Sequence, residues 1–199
     1  GVFSGSHVYD SGAITGTCDT SATSTAWLDQ INGARSMATS DPAKLVASAE
    51  GPGTGVYDKL NGGGWELGRE GERLSAIAAI YTGMSLAQLG EFVCEAAIDG
   101  SELLTPTDVL NLAEEWITDR ALPHIQSHGD FALPNGIATS AQLMATSVRA
   151  RIKWANRDYA GAAADAATVL AADPAFTAWI TREAGESRRN KIHHTNTSV

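Results

Sequence analysis

Residues 149–174 constrain the fold of this 199-residue chain more than any other segment. Their pattern predicts a helix that ends near Ala155, a polar turn at residues 156–158, and a second helix over Tyr159–Ala172. Pro174 stops the second helix, because proline lacks the backbone N–H that a helix requires. The segment therefore predicts a helical hairpin.

The second helix of this hairpin is rich in alanine on every face. A helix of small side chains buries little area alone, but it lets a neighbouring helix approach closely, so its stability must come from tertiary packing. We therefore expect residues such as Ala163 and Ala166 to be buried in a close helix–helix contact, where leucine would overpack.

The hairpin resembles the closing half of a tetratricopeptide repeat. That repeat has tyrosine, small residues, leucine and a final proline at the intervals found here, which are occupied by Asp158, Tyr159, Ala162, Ala166, Leu170 and Pro174. The first helix departs from the pattern, because Arg149 and Lys153 stand where the repeat usually has larger apolar residues.

Together with residues 79–105, the hairpin resembles part of the SusD/RagB family of outer-membrane nutrient-binding lipoproteins. The shared order is a helix carrying Tyr81, then LGE, FVCEAAIDG, Leu-Thr-Pro, a Glu-bearing helix, the RAR…DYAGAAADAA hairpin and a basic RRNKI segment. The resemblance covers residues 65–175. Members of that family are much longer, so we expect this chain to be a truncated or partial one.

The resemblance implies an all-α fold in which tetratricopeptide-like hairpins stack into an α-α superhelical scaffold with long irregular N-terminal loops. It also implies non-enzymatic binding of an oligosaccharide or peptide at the outer-membrane cell surface, for delivery to a TonB-dependent transporter. The alternative is a tetratricopeptide-like interaction module or a structural subunit of an extracellular assembly, as a homo-oligomer or within a larger complex.

Composition and the pattern of charged and apolar residues divide the chain into three parts. Residues 1–64 are rich in Gly, Ser, Thr and Asp, with short helices predicted at 26–32 and 41–50. Residues 65–180 form the predicted helical core, and residues 181–199 are a polar, basic segment. The net charge of −9 argues against nucleic acid or an anionic lipid surface as a partner, since no basic stripe is present to neutralise phosphates.

Residues 74–90 contain no charged side chain. The run is too short and too polar for a membrane span, so it predicts the central helix of the core. Gly83 and Gly90 lower its helix propensity, which predicts close helix packing or a bend near them.

Start and stop signals define the remaining helices. Thr105, Pro106 and Asp108 predict a capped helix start, and Pro123 predicts the end or a kink of that helix, followed by a loop over residues 124–138. Thr139 and Ser140 predict the cap of the next helix. Its expected inward stripe is Leu143 or Met144, then Val148, Ile152 and Ala155; Phe176 and Trp179 are expected to dock on the core.

The sequence contains no recognisable catalytic constellation, metal site or cofactor motif. His124 and His128 have the i, i+4 spacing of a helical metal site, but they follow Pro123 and no glutamate completes a zinc-protease motif. We therefore interpret them as solvated loop histidines.

Loop aromatics are the remaining candidates for ligand binding. Sugar rings lie flat on Trp and Tyr faces, and Tyr57 and Trp65 flank Asp58 and Asn61 in a glycine-rich stretch. The alternative is that Trp65 docks this loop on the helix below it.

Cys18 and Cys94 are the two cysteines of the chain. They occur without metal-ligand spacing and would form a disulfide in an exported protein. Sequence alone does not place them close together, so their pairing is open at this point.

Overall fold

The computed structural model describes Tyr57, Leu60, Asn61 and residues 68–98 and 102–179, which are mostly helical. The helical elements in chain order are α1 (Gly68–Phe92), α2 (Pro106–Glu115), a π-helical turn (Trp116–Ala121), α3 (Leu122–His128), a 3-10 turn (Pro134–Gly136), α4 (Ala141–Ala155) and α5 (Tyr159–Ala172). The all-α class is confirmed, whereas the tetratricopeptide-like superhelix stays a prediction. The helices predicted at 26–32 and 41–50 and the segment 181–199 lie outside the described residues.

One short hairpin joins α1 to α2. Strand β1 (Ala96–Ala97) pairs antiparallel with β2 (Leu103–Leu104), and Ala96 lies opposite Leu104. The sequence did not predict these strands, which are only two residues long and leave the class unchanged.

Helix α1 is the centre of the described bundle. It packs against α2, the π-helical turn, α3 and α4. Its uncharged stretch supplies much of the core, including the fully buried Ile80 and the nearly buried Leu86 and Leu89. The predicted central helix is therefore confirmed. Among the described helices, none combines the length and the apolar character needed to cross a membrane.

Two glycines of α1, Gly83 and Gly90, lie where α2 and the π-helical turn come closest. A Cβ at Gly83 would be 2.6 Å from Ile117 Cδ1 and 3.2 Å from the Ala113 carbonyl oxygen, and a Cβ at Gly90 would be 2.7 Å from Leu110 Cγ. Such distances leave no room for a methyl group. The predicted close packing at these glycines is confirmed.

We predict that Gly83→Ala destabilises the protein by about 1–2 kcal/mol, because the clash with Ile117 outweighs the gain in helix propensity of about 1 kcal/mol. Urea unfolding monitored by circular dichroism measures this change. The double variant Gly83→Ala with Ile117→Val removes the clashing Cδ1 and should be more stable than the sum of the two single changes allows. A gain in stability for Gly83→Ala alone would contradict the packing.

Helix α2 begins as its sequence predicts. The Thr105 side chain accepts a hydrogen bond from the Asp108 N–H, and the Asp108 carboxylate accepts one from the Thr105 N–H, with Pro106 in the first turn. This reciprocal capping box satisfies two backbone donors that the helix cannot pair internally.

The predicted end of the helix at Pro123 is wrong, because helical backbone continues to His128. The alternative, a kink at this proline, stays a prediction. Within the π-helical turn the Leu122 N–H donates to the Ile117 carbonyl, five residues earlier. Helix α3 therefore begins anew at Leu122, and Pro123 lies in its first turn, where the missing N–H costs little. The loop predicted for 124–138 begins only at Gly129.

The α4–α5 hairpin agrees with the sequence at both ends. Ser140 caps α4, accepting from the Leu143 N–H, and Met144, Val148 and Ile152 are buried along its inward stripe. Phe176 packs against the core, as expected. The side chain of Trp179 is 66% exposed, so its predicted docking is wrong.

The expected close contact around the alanines of α5 is also wrong for most of them. Helix α5 packs chiefly against α4, and only Ala162, Asp165 and Val169 are buried. Ala163 and Ala166 face solvent, so leucine at either position would extend into water and the expected overpacking does not apply there.

Instead, a charged cluster holds α5 on α4. The buried carboxylate of Asp165 accepts from Arg149 through two bonds of 2.8 and 2.7 Å, and Lys153 Nζ lies 3.0 Å from its Oδ2. Arg149 and Lys153 are one helical turn apart and thus share a face of α4. The two cations that depart from the tetratricopeptide pattern are therefore explained by the acidic residue they face.

Burial favours the neutral form of Asp165, but hydrogen bonds from Arg149 and Lys153 outweigh it, so the pKa of Asp165 lies below its ordinary value of 3.8. A carboxyl group with a lowered folded-state pKa contributes stability above its ordinary pKa and loses it as the pH falls through the folded-state value.

We predict that Asp165→Asn lowers the free energy of unfolding by about 3 kcal/mol near neutral pH, because the largely buried Arg149 loses its ion-pair partner. Lys153 loses the nearer of its two carboxylates and keeps Glu114, 3.8 Å away. The gap between wild type and variant should shrink as the pH drops below 3.8, the ordinary pKa of this carboxyl. Denaturant unfolding over a pH series measures it. Asp119→Asn, at an exposed position, is the control; equal losses for the two variants would contradict the role of the cluster.

Candidate functional site

The structure places Tyr57, one of the two predicted ligand contacts, against the helical core. Its side chain is half-buried, its ring meets Trp116 edge-on with centroids 5.0 Å apart, and its hydroxyl lies 2.9 Å from His124 Nε2. The other predicted contact, Trp65, lies outside the described residues. Ligand binding by Tyr57 and Trp65 stays a prediction.

His124 occupies the middle of a hydrogen-bonded chain that joins three parts of the molecule. Its Nδ1 is 2.6 Å from Glu72 Oε2 on α1, and its Nε2 faces the Tyr57 hydroxyl. Since a carboxylate only accepts, Nδ1 carries a hydrogen and donates to Glu72. In the neutral imidazole, Nε2 then accepts from Tyr57.

The interpretation of His124 and His128 as solvated loop residues is therefore wrong. Both lie on α3, and His124 is largely buried, with a side chain 16% exposed. His128 packs edge-on against Phe131 and hydrogen-bonds through Nδ1 to the Gly129 carbonyl. Within the described ranges, no group of three or more His, Cys, Asp or Glu residues is arranged to hold a metal ion. The chain of contacts through His124 anchors Tyr57 to the bundle.

The π-helical turn contributes to the same side of the molecule. It buries Trp116 beside Tyr57, and the Arg120 guanidinium lies 4.3 Å from the centroid of the Trp116 ring. At this distance the cation interacts with the face of the indole. Both aromatic rings therefore pack against other side chains. They are less available for stacking on a ligand than the ring of an exposed tryptophan.

A groove at the C-terminal end of α1 is lined by an exposed tryptophan, Trp154. It has a volume of ≈ 630 Å³ and lies between the C-terminal ends of α1 and α4 and the first turns of α2. Its lining is formed by Gly90, Glu91, Phe92, Pro106, Thr107, Leu110, Trp154, Ala155, Asn156 and Arg157.

Trp154 is the principal aromatic surface of this groove. Its side chain is 65% exposed, although an indole gains free energy by leaving water. It is off the inward stripe of α4, which runs through Val148 and Ile152. Exposed tryptophan beside polar groups is typical of sites that stack a sugar ring.

The polar groups of the groove are positioned by contacts between helices. Arg151 on α4 donates to both carboxylate oxygens of Glu91 on α1, at 2.8 and 2.6 Å. Asn156 donates through Nδ2 to Asn111 Oδ1 on α2, at 2.7 Å. These pairs tie α4 to α1 and α2 at the groove, and fixed polar groups beside an aromatic face can orient a bound ligand.

Sequence reasoning missed Trp154, and one signal could have found it. The stripe on α4 assigns Met144, Val148 and Ile152 to the core, and Trp154 falls outside that stripe. A large aromatic on the polar side of an amphipathic helix indicates a binding surface or a helix contact. The groove around Trp154 is also formed by α1 and α2, and the sequence pattern of α4 alone does not show that these helices lie beside it.

Cys94 follows the end of α1 and is part of a disulfide. Cys18 lies outside the described residues, so the pairing of these two cysteines stays a prediction. If Cys18 is the partner of Cys94, the disulfide connects the N-terminal segment to the helical core, near the groove-lining residue Phe92.

No protein-family model, characterised protein or solved structure matches this chain. Its function has therefore to be inferred from its side chains and their arrangement.

We predict that the folded protein contains no reactive thiol and that reduction in denaturant releases two, since Cys18 and Cys94 are the cysteines of the chain. Thiol titration with and without reductant, and peptide mapping under non-reducing conditions, test the pairing. A peptide linking Cys94 to a second copy of itself would show an intermolecular bridge and contradict the prediction.

Proposed function

We propose that this chain is a SusD/RagB-like, non-enzymatic nutrient-binding protein. It captures an oligosaccharide or a peptide at the outer-membrane surface and delivers it to a TonB-dependent transporter, with a tetratricopeptide-like stack of helical hairpins as its scaffold. The order of sequence segments over residues 65–175 supports the family assignment, and the mostly helical fold is compatible with it.

The exposed face of Trp154 carries the proposal of a ligand site. A folded protein leaves a tryptophan 65% exposed at a cost in hydrophobic free energy, and contact with a ligand recovers that cost. The groove beside it has the size of a small-molecule site. Its ion-paired carboxylate and its amide provide hydrogen-bonding groups next to the ring.

We predict saturable binding of a glycan on an array of glycans and peptides, followed by a roughly tenfold loss of affinity in Trp154→Ala, because a stacking surface is removed. Isothermal titration calorimetry with the best array ligand measures the loss. Trp179→Ala is the matched control, since Trp179 is 66% exposed but does not line the groove.

The possible results separate the function from the site. Unchanged affinity in Trp154→Ala would move the site elsewhere on the protein while leaving the function in place. Arrays without saturable binding, together with a defined oligomer in solution, would overturn the nutrient-binding proposal.

A second candidate function, a protein-interaction or structural subunit, is favoured by the outward face of α5. The one charged residue of this helix, Asp165, points towards α4, so the solvent face carries no charge and exposes Tyr159 and Leu170 at 60% and 59%. An uncharged helix face of this kind is suited to contact with another helix. Light scattering over a concentration series tests whether the protein associates.

A further inference from the structure

We infer that the groove beside Trp154 selects ligands that carry a carboxylate, and that Arg157 determines this selection. This inference rests on the proposed binding function and specifies its ligand as an oligosaccharide containing uronic acid. It follows from three observations, which concern the backbone of Arg157, the charge balance of the groove and the aromatic face next to it.

The first observation is the backbone of the turn after α4. The Asp158 N–H donates to the Lys153 carbonyl at 2.8 Å, and the Arg157 N–H donates to the Trp154 carbonyl at 3.1 Å. These are the two bonds of a Schellman motif, in which the residue at the Arg157 position adopts a left-handed conformation and is usually glycine or asparagine.

Arg157 adopts this conformation with φ = 67°, and it is the only described residue other than glycine with a positive φ. A side chain is unfavourable there, because its Cβ crowds the backbone. The turn is closed by backbone bonds alone, so the fold does not need a guanidinium at this position. An unfavourable backbone conformation at a residue that lines a groove indicates that its side chain has a role there.

The second observation is the charge balance of the groove. Among the described residues that line it, Glu91 is the one carboxylate, and both of its oxygens accept from Arg151. Among the residues that the structure describes, no carboxylate forms an ion pair with Arg157, whose side chain is exposed.

Two further carboxylates adjoin the groove in sequence, and each is engaged at a helix start. Asp108 accepts from Thr105 at the first turn of α2, and Asp158 accepts from the Gly161 N–H at the first turn of α5. The positive end of each helix offsets their charge. Among the described residues, the groove therefore presents one guanidinium without an ion-pair partner, on a chain whose net charge is −9.

The third observation is the neighbouring aromatic face. Trp154 precedes Arg157 by three residues, and both line the same groove. A guanidinium binds a carboxylate through paired N–H donors, while an indole stacks on a sugar ring. A hexuronic acid carries both features on one ring. An acidic peptide would satisfy Arg157 but would not need the flat, exposed indole.

Calorimetry with an oligogalacturonate and with its methyl-esterified form tests the inference, because the two ligands differ in charge and share their rings. We expect the acid to bind roughly three- to tenfold more tightly than the ester, with a preference that weakens as salt is added. R157Q should abolish the preference, and R157K should keep part of it, since lysine retains the charge without the paired donors.

R157G separates binding from folding. Glycine relieves the left-handed backbone, so this variant should melt at the same temperature as the wild type or higher, while its preference for the acid is lost. A lower melting temperature in R157G would show that the arginine serves the fold and would overturn the inference.

The remaining outcomes distinguish this inference from the function on which it rests. Equal affinity for acid and ester, with both lost in Trp154→Ala, overturns the role of Arg157 and leaves the proposed function standing. Saturable binding of acidic peptides but of no uronate also overturns it. Absence of binding to every glycan and peptide defeats the proposed function itself.

Discussion

The close approach of α2 to α1 at Gly83 and Gly90 is the constraint on which the rest of the described structure depends. Helix α1 contacts α2, the π-helical turn, α3 and α4. At Gly83 and Gly90, backbone and side chains of α2 and the π-helical turn fill the space of a missing Cβ. A larger residue would push α2 outward. Gly90 also lines the groove beside Trp154, so the same contact that closes the core forms one wall of the candidate site.

Local chemistry explains why several helix boundaries could be predicted from the sequence. Thr105 and Asp108 cap each other within one turn, and the ends of α4 and α5 follow from a polar turn and from Pro174. Such signals need only neighbouring residues. The core helix was predictable for a related reason, since an uncharged run without membrane-spanning character has to be buried.

The errors arose where distant residues decide the outcome. Pro123 is accommodated because a π-helical turn precedes it, and His124 is buried because Glu72 and Tyr57 reach it from elsewhere in the chain. Most alanines of α5 remain exposed because Asp165, rather than methyl packing, holds this helix on α4. None of these partners can be identified from spacing along a single helix.

The candidate site was missed for the same physical reason. Trp154 and Arg157 belong to the end of α4, but the groove exists only because α1 and α2 end and begin beside them. The local pattern could show that Trp154 is off the buried stripe. It could not show what lies opposite. The candidate site depends on the meeting of helix ends, where side chains in loops and turns are not needed for packing.

Helices α2 and α3 are joined by the π-helical turn into one nearly continuous helix. The turn therefore sets how far α3 is rotated about the helix axis relative to α2. Each residue of an α-helix advances the chain by about 100° around its axis. Deleting one residue from Trp116–Ala121 would restore ordinary winding and rotate everything beyond it by that angle. His124 would then swing away from Glu72, and Ile125 would leave the interior, where it is now 1% exposed. The one extra residue in the π-helical turn thus determines which face of α3 packs against the core.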